Sequence, residues 1–300
     1  MTLVTLPFAP GKLQDVSKEF DFARFVAGDD TTHLAETEFW VTPYVFQFDF
    51  PAALAAMPGL RVIQTQSAGV DHIIEHVPPS ITLCNARGVH DAATSELGVA
   101  LILASLRGIP NSVRAQARGE WDQRQDLTSL ADRRVLIVGY GSIGQALERR
   151  LAGFEVEITR VARTARDNIH GFEELPRLIP AADVIVLLAP LNPDTHHLVN
   201  ADFLRRMNDG ALLVNLARGG LVDTDALVSE VKTKRIFAAL DVTDPEPLTE
   251  GHPLWSMTNV LITPHVAGGT TAMRPRMQKL LVKQLTRLAD GDDLLNVVPR

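Results

Sequence analysis

The chain has 300 residues, enough for one large domain or two of ordinary size. Hydrophobic residues make up 46% and charged residues 22%, a globular balance, and a net charge of −7 argues against attachment to nucleic acid by overall charge. A single cysteine, Cys84, excludes a disulfide within the chain and points to a reducing compartment.

From the N-terminus, Met1 to Pro7 lacks the basic region and long apolar core of a signal peptide. Leu97 to Leu106, the longest apolar stretch, is about half of what a bilayer span needs. A soluble, cytoplasmic protein that does not enter a membrane is expected. Strand candidates follow at Phe39–Val41, Arg61–Gln64 and Thr82–Asn85, with helical patterns between them. A helix near Ala92–Arg107 is broken by Gly108-Ile109-Pro110. Further strand candidates are Val135–Val138, Val156–Ala162, Val184–Leu188, Ala211–Asn215, Ile236–Asp241 and Val260–Thr263. Several are short unbroken apolar runs, the mark of strands buried on both faces of a parallel sheet. The fold class expected is α/β, with two Rossmann-like doubly wound parallel-sheet domains and a cleft between them. A last amphipathic helix, Met273 to Ala289, carries Met277, Leu280, Leu281, Val282 and Leu288 as its apolar residues and has no strand of its own to cover. Its expected place is back on the first domain. The division is therefore 1–98 plus 274–300, flavodoxin-like, and 99–273, a dinucleotide-binding Rossmann domain.

The most informative run is Val135 to Gly144, in which an apolar strand ends in Gly139-Tyr140-Gly141-Ser142-Ile143-Gly144 and a helical pattern starts at once. Gly139 permits the turn, Gly141 lets the backbone approach a pyrophosphate, and Gly144 lets helix and strand pack closely. The free N–H groups and positive dipole end of the helix then face the phosphates. The acidic residue that binds a ribose 2′-hydroxyl in this fold falls near Ala162, which is not acidic. Arg163 follows directly and Arg166 is close. An arginine cannot accept a bond from a hydroxyl, but it pairs well with a 2′-phosphate, which favours NADP while leaving NAD possible. The competing interpretation makes Arg160, Arg163 and Arg166 a solvated loop.

Arg218, Asp241, Glu246 and His265 each follow an expected buried strand, and ligands of open parallel sheets bind at the carboxyl ends of the strands. The chain resembles the D-isomer-specific 2-hydroxyacid dehydrogenase family, and more closely its glyoxylate/hydroxypyruvate reductases. The resemblance runs through Ser67 to His72, the glycine motif, Asn215 to Asp223, Asp241 to Glu246 and Pro264-His265, in family order. It implies Arg218, Glu246 and His265 as catalytic residues. It also implies cofactor contacts at Tyr140, Ser142, Ile143, Pro190, Ala217, Asp241 and His265 besides the glycines and Arg163. Substrate contacts fall on Ala68, Gly69, Val70 and Arg218, which makes the first domain the substrate domain. In these roles His265 exchanges a proton with the substrate oxygen. Glu246 holds and orients it, Arg218 grips the carboxylate and carbonyl, and Asp241 accepts from the nicotinamide carboxamide. Asn192 stands where the family usually has threonine.

His72, His76, His90, His196, His197 and His252 lack metal-like spacing, so no metal is expected. Size selectivity is expected from loops around Phe46–Phe50, Ser67–His72 and Arg87–Asp91. The activity implied is NAD(P)-dependent, reversible hydride transfer to a small 2-keto acid, with glyoxylate or hydroxypyruvate favoured. Phosphoglycerate dehydrogenase is the alternative within the family, weakened because the sequence ends at Arg300 without a regulatory domain. A nucleotide-sensing binding protein of the same fold is the alternative outside catalysis. The resemblance also implies a homodimer, with Trp121 in the segment where such contacts fall.

Overall fold

The computed structural model describes residues 1–26, 32–45, 48–123 and 127–299; Phe46, part of an expected selectivity loop, lies outside the described residues. The chain splits into two compact units, Met1–His90 with Thr271–Arg300, and Asp91–Thr270.

The first unit is built on β1 (Thr2–Leu6), β2 (Phe20–Arg24), β3 (Thr37–Val41), β4 (Val62–Gln64) and β5 (Thr82–Cys84). All pairings are parallel and the order is β2-β1-β3-β4-β5, which is the flavodoxin-type doubly wound order. Three of the five strands match the expected segments; β1 and β2 were not among them. β1 lies between β2 and β3, and its Val4, Thr5 and Leu6 are all 0% exposed. The buried Thr5 hydroxyl pairs with Thr37 at 2.8 Å, 32 residues away. A polar residue inside a five-residue strand hides the apolar run that would mark it.

The helix Met273–Asp290 packs Met277, Leu280, Leu281 and Leu285 with Val4, Leu6 and Phe39 of this sheet. Val282, expected on the apolar face, is 39% exposed. Gln284 is buried in its stead: its amide donates to Gln64 Oε1 at 2.8 Å and to Leu295 O at 3.0 Å. Its own oxygen accepts from Leu295 N at 2.7 Å. A saturated amide is tolerated inside where an unpaired one is not.

Burial pushes the Cys84 thiol up to about 11, with a smaller opposing pull from Gln284. The native fold therefore holds this proton more tightly than the unfolded chain does. The resulting stability is present below the ordinary thiol value and is lost as pH rises through the folded value. At pH 8 only about one native thiol in a thousand is ionised, and Cys84 is 0% exposed. Native protein is expected to react with a thiol reagent only as fast as it opens, whereas denatured protein reacts at once; prompt native labelling would contradict this.

The second unit carries β6 (Arg134–Val138), β7 (Glu157–Val161), β8 (Val184–Leu187), β9 (Leu212–Asn215), β10 (Phe237–Leu240) and β11 (Val260–Ile262). These too are parallel, in the order β11-β10-β9-β8-β6-β7. A further parallel bridge pairs His170 with Val161 beyond β7. Alternate residues serve opposite faces. Leu136, Val138, Ile185, Leu187 and Leu213 enter one core cluster, while Val135, Ile137, Val184, Val186, Leu212 and Val214 enter the other. Burial on both sides is why these strands read as unbroken apolar runs.

The helix Asp91–Leu106 buries Leu101 and Ile102 in the second of those clusters. A division at residue 98 would cut through that helix; the one at Asp91 leaves it whole. No single helix among the described residues is long and apolar enough to cross a membrane.

Candidate active site

β7 and β8 lie on opposite sides of β6, so the strand order reverses at β6/β8, and that reversal opens a crevice at the strand ends. Gly139 sits there with φ +104°, and a Cβ on it would lie 2.2 Å from the backbone nitrogen of Ala189. Glycine is thus required twice over, for the turn and for contact with the end of β8. A Cβ on Gly141 would meet nothing within 4 Å, whereas one on Gly144 would lie 3.0 Å from Gly139 O. The helix Ser142–Leu151 has no side-chain cap at its N-terminus, which leaves first-turn N–H groups for an anion. These features fit a dinucleotide pyrophosphate. The Ser142 hydroxyl is used elsewhere, donating to Asp91 Oδ1 at 3.0 Å, and Ile143 is partly buried behind it.

The three arginines near the expected ribose site are not alike. Arg160, on β7, donates to Glu148 through two nitrogens, one bond being 2.8 Å, and the Tyr140 hydroxyl donates to the same carboxylate. The Arg160 hydrogen bonds hold the Glu148 carboxyl below its usual range. Burial, then the bond to Glu148, pushes the Tyr140 phenol up. Arg160 is therefore a structural partner of Glu148 and not part of a solvated loop. Arg166 donates to Tyr140 O at 3.2 Å. Arg163 is exposed and makes no ion pair among the described residues.

At the ends of β8, β9, β10 and β11 four loops lie side by side. After β8, Thr195 Oγ donates to Pro190 O at 2.7 Å. Asn192 Oδ1 accepts from Asp194 N and Thr195 N at 3.0 and 3.1 Å, so this carboxamide shapes its own turn. At the end of β9, Asn215 is 1% exposed. Its Oδ1 accepts from Ala217 N at 3.1 Å and its Nδ2 donates to Arg218 O at 2.8 Å. Arg218 Nη1 donates to Ala217 O at 2.8 Å.

Asp241, just past β10 and 1% exposed, accepts from Thr263 Oγ at 2.6 Å, Val266 N at 3.0 Å and Ala267 N at 3.0 Å. Its own carbonyl accepts from His265 N at 2.7 Å. Every one of these donors lies on the loop after β11, and they hold His265 at φ +51°, a left-handed conformation that costs a residue with a Cβ of order 1–3 kcal/mol. The His265 ring reaches Glu246, Nδ1 to Oε1 at 2.5 Å, with both side chains about one-third exposed. A carboxylate at Nδ1 fixes the orientation of the ring and favours a proton on that nitrogen.

In the first unit, the carbonyls of Ser67, Ala68, Gly69 and Val70 accept from Ala86 N and Thr65 Oγ, Asn85 Nδ2, Ser67 Oγ, and Ile73 N and Ile74 N respectively. The N–H groups of Ala68, Gly69 and Val70 make no hydrogen bond among the described residues. Three neighbouring unspent donors suit an anion.

The residues not foreseen are Asn215, Gly219 and Glu148. A Cβ on Gly219 would lie 1.9 Å from Thr243 O, so the loops after β9 and β10 touch at that point. Asn215 had a legible signal, a lone amide closing an apolar strand; the partners of Gly219 and Glu148 had none.

A model of the D-isomer specific 2-hydroxyacid dehydrogenase NAD-binding domain matches residues 99–267, more than half of the chain. Glyoxylate reductase from Thermofilum pendens is 37% identical over 251 residues, covering 79% of this chain and 74% of its own. Glyoxylate reductase/hydroxypyruvate reductase from Mus musculus is 36% identical over 244 residues, covering 77% and 74%. Among solved structures, the NADPH-dependent glyoxylate/hydroxypyruvate reductase from Sinorhizobium meliloti, in complex with NADP and malonate, superposes with a TM-score of 0.80. It is 27% identical, over 99% of this chain and 96% of that one. The glycine turn, the strand-end loops and these likenesses agree: the chain belongs to the D-isomer-specific 2-hydroxyacid dehydrogenase family, oxidoreductases that use NAD(P) on the CH–OH group.

Proposed function

We propose that the chain reduces small 2-keto acids, glyoxylate and hydroxypyruvate first, with NADPH as the preferred donor. The observation that carries this is the 2.5 Å bond between His265 Nδ1 and Glu246 Oε1. It orients the imidazole through Nδ1, with Nε2 assigned to the substrate oxygen. In the reduction His265 gives its proton to the forming alkoxide; in the reverse direction it takes the proton back. Glu246 balances the imidazolium while the proton is on the ring. The Arg218 guanidinium engages the substrate carboxylate and polarises the carbonyl; in the first unit, the unspent N–H groups of Ala68, Gly69 and Val70 suit an anion. When bound, the nicotinamide cofactor supplies the hydride. Gly139 to Gly144, Pro190, Ala217 and Asp241 line its place. The Asp241 carboxylate, already accepting three bonds, keeps one lone-pair direction for it.

The NADPH preference rests on Arg163, which is exposed and unpaired among the described residues where a ribose-binding acid would stand. The S. meliloti relative is named as NADPH-dependent. Purified protein with NADPH and glyoxylate or hydroxypyruvate is expected to lose nicotinamide absorbance, with NADH the weaker donor. Arg163→Ala is expected to weaken NADPH roughly tenfold or more and leave NADH unchanged, the loss of one charge-assisted pair. A wild-type preference for NADH would overturn the phosphate assignment; tight NADPH binding without turnover on any 2-keto acid would point to a nucleotide sensor. The protein is also proposed to be a cytoplasmic homodimer. Trp121 at 93% exposure, with Ile109, Val113 and Leu127 also exposed, supports a covered face of that kind.

A further inference from the structure

Arg218 stands three residues beyond the last residue of β9, on a loop whose backbone would otherwise be free to rotate its guanidinium away from a substrate. We infer that Asn215 is a positioning residue for the reaction, acting through Arg218 by clasping both ends of the intervening loop. The inference rests on the functional reading above.

The geometry is specific to a carboxamide. Asn215 spends its oxygen on Ala217 N and its nitrogen on Arg218 O, at 3.1 and 2.8 Å. No other natural side chain of that length offers an acceptor and a donor side by side. Aspartate keeps the acceptor but sets a second oxygen against the Arg218 carbonyl. Leucine matches the volume and satisfies neither group. The side chain is 1% exposed, so water cannot stand in for it without a rearrangement.

The clasp is itself tied down. Asn215 O accepts from Asp241 N at 2.9 Å, and Leu216 N donates to Leu187 O at 3.2 Å. The residue that grips the Arg218 loop is therefore hydrogen-bonded to the residue that grips the His265 loop. Asn215 and Asp241 are neighbours at the ends of β9 and β10, and each spends its side chain on the backbone of a loop bearing one reactive group. On this account β9 and β10 are a ruler: the register Leu240↔Asn215 sets the spacing between guanidinium and imidazole before a ligand arrives.

Asn215→Ala removes both bonds and leaves Ala217 N–H and Arg218 C=O unpaired. A displacement of the guanidinium by about 1 Å is expected to lower kcat/KM for glyoxylate by up to ~10²-fold, through a raised KM and a lowered kcat together. Asn215→Asp is expected to be no better than alanine.

The deciding measurement is the double-mutant cycle with Arg218→Ala. If Asn215 works through Arg218, adding Asn215→Ala to Arg218→Ala costs little more in kcat/KM. Independent, multiplying losses would overturn the inference, and so would an Asn215→Ala enzyme with wild-type constants. Should the alanine variant fail to fold, Asn215→Ser, which keeps a short donor and acceptor, takes its place in the same cycle. A wild-type protein inert toward both glyoxylate and hydroxypyruvate would refute the functional reading itself; an active wild type with an additive cycle refutes only the role of Asn215.

Discussion

Replacing His265 by alanine is expected to lower kcat for keto-acid reduction by ~10²–10⁴-fold, the usual worth of a positioned general acid, with the NADPH dissociation constant within about twofold of wild type. The imidazole has its Nδ1 held by the Glu246 carboxylate. The backbone that carries it does not depend on the ring. His265 N is bound by Asp241 O, and the two following N–H groups by the Asp241 carboxylate. Alanine at this position keeps every one of those bonds, so the loop survives and only the proton path is lost. Steady-state rates beside nucleotide titration by fluorescence quenching separate the two effects. A kcat within tenfold of wild type would mean that another group delivers the proton.

The second large effect is expected at Gly219. A methyl group there would overlap Thr243 O at 1.9 Å and Thr243 C at 2.1 Å, both backbone atoms. They cannot yield as a side-chain end does. Gly219→Ala therefore forces the loop bearing Arg218 away from the segment that leads from β10 to Glu246. Overpacking of this kind costs ~1–3 kcal/mol or more, read as a lowered thermal midpoint. Activity falls with it, because Arg218 and Glu246 lose their common support. The neighbour provides the control. A Cβ on Gly220 would meet side-chain ends, Leu191 Cδ2 at 3.2 Å, Leu191 Cδ1 at 3.4 Å and Asp244 Oδ2 at 3.7 Å, so Gly220→Ala is expected to be mild in both measurements. Equal behaviour of the two variants would show that the contact with Thr243 does not matter.

The parts of the fold legible in the sequence were those set by local pattern. Val184–Leu187 and Leu212–Asn215 are buried on both faces, and they read as strands because nothing interrupts their apolar runs. Gly139 was legible because a turn of positive φ demands glycine, though its contact with Ala189 N was not. What stayed hidden depends on distant partners. Thr5 is a core residue only because Thr37 meets it. Arg160 looked like its neighbour Arg163 until Glu148, on another element, claimed it. Gln284 interrupts an apolar face and is buried only because Gln64 and Leu295 satisfy it. Of the candidate site residues, Arg218, Glu246 and His265 were singled out from their places after strands and from the family resemblance. Asn215 showed as a lone amide closing an apolar strand, but its backbone partners, like the backbone contact of Gly219, leave no mark of their own in a sequence.

The bond between Gln64 and Gln284 spans 220 residues. During synthesis the first five strands leave the ribosome long before Met277, Leu280, Leu281 and Leu285 exist to cover them. The unit Asp91–Thr270 has all its strands in one stretch and can close while the chain is still growing. The first sheet must wait with part of its apolar face uncovered, which is when chaperones bind and aggregation begins. Contacts of such long sequence separation form late and slowly. The helix Met273–Asp290 thus completes the core of the first unit, and a chain cut short within it is expected to leave that sheet's apolar face uncovered.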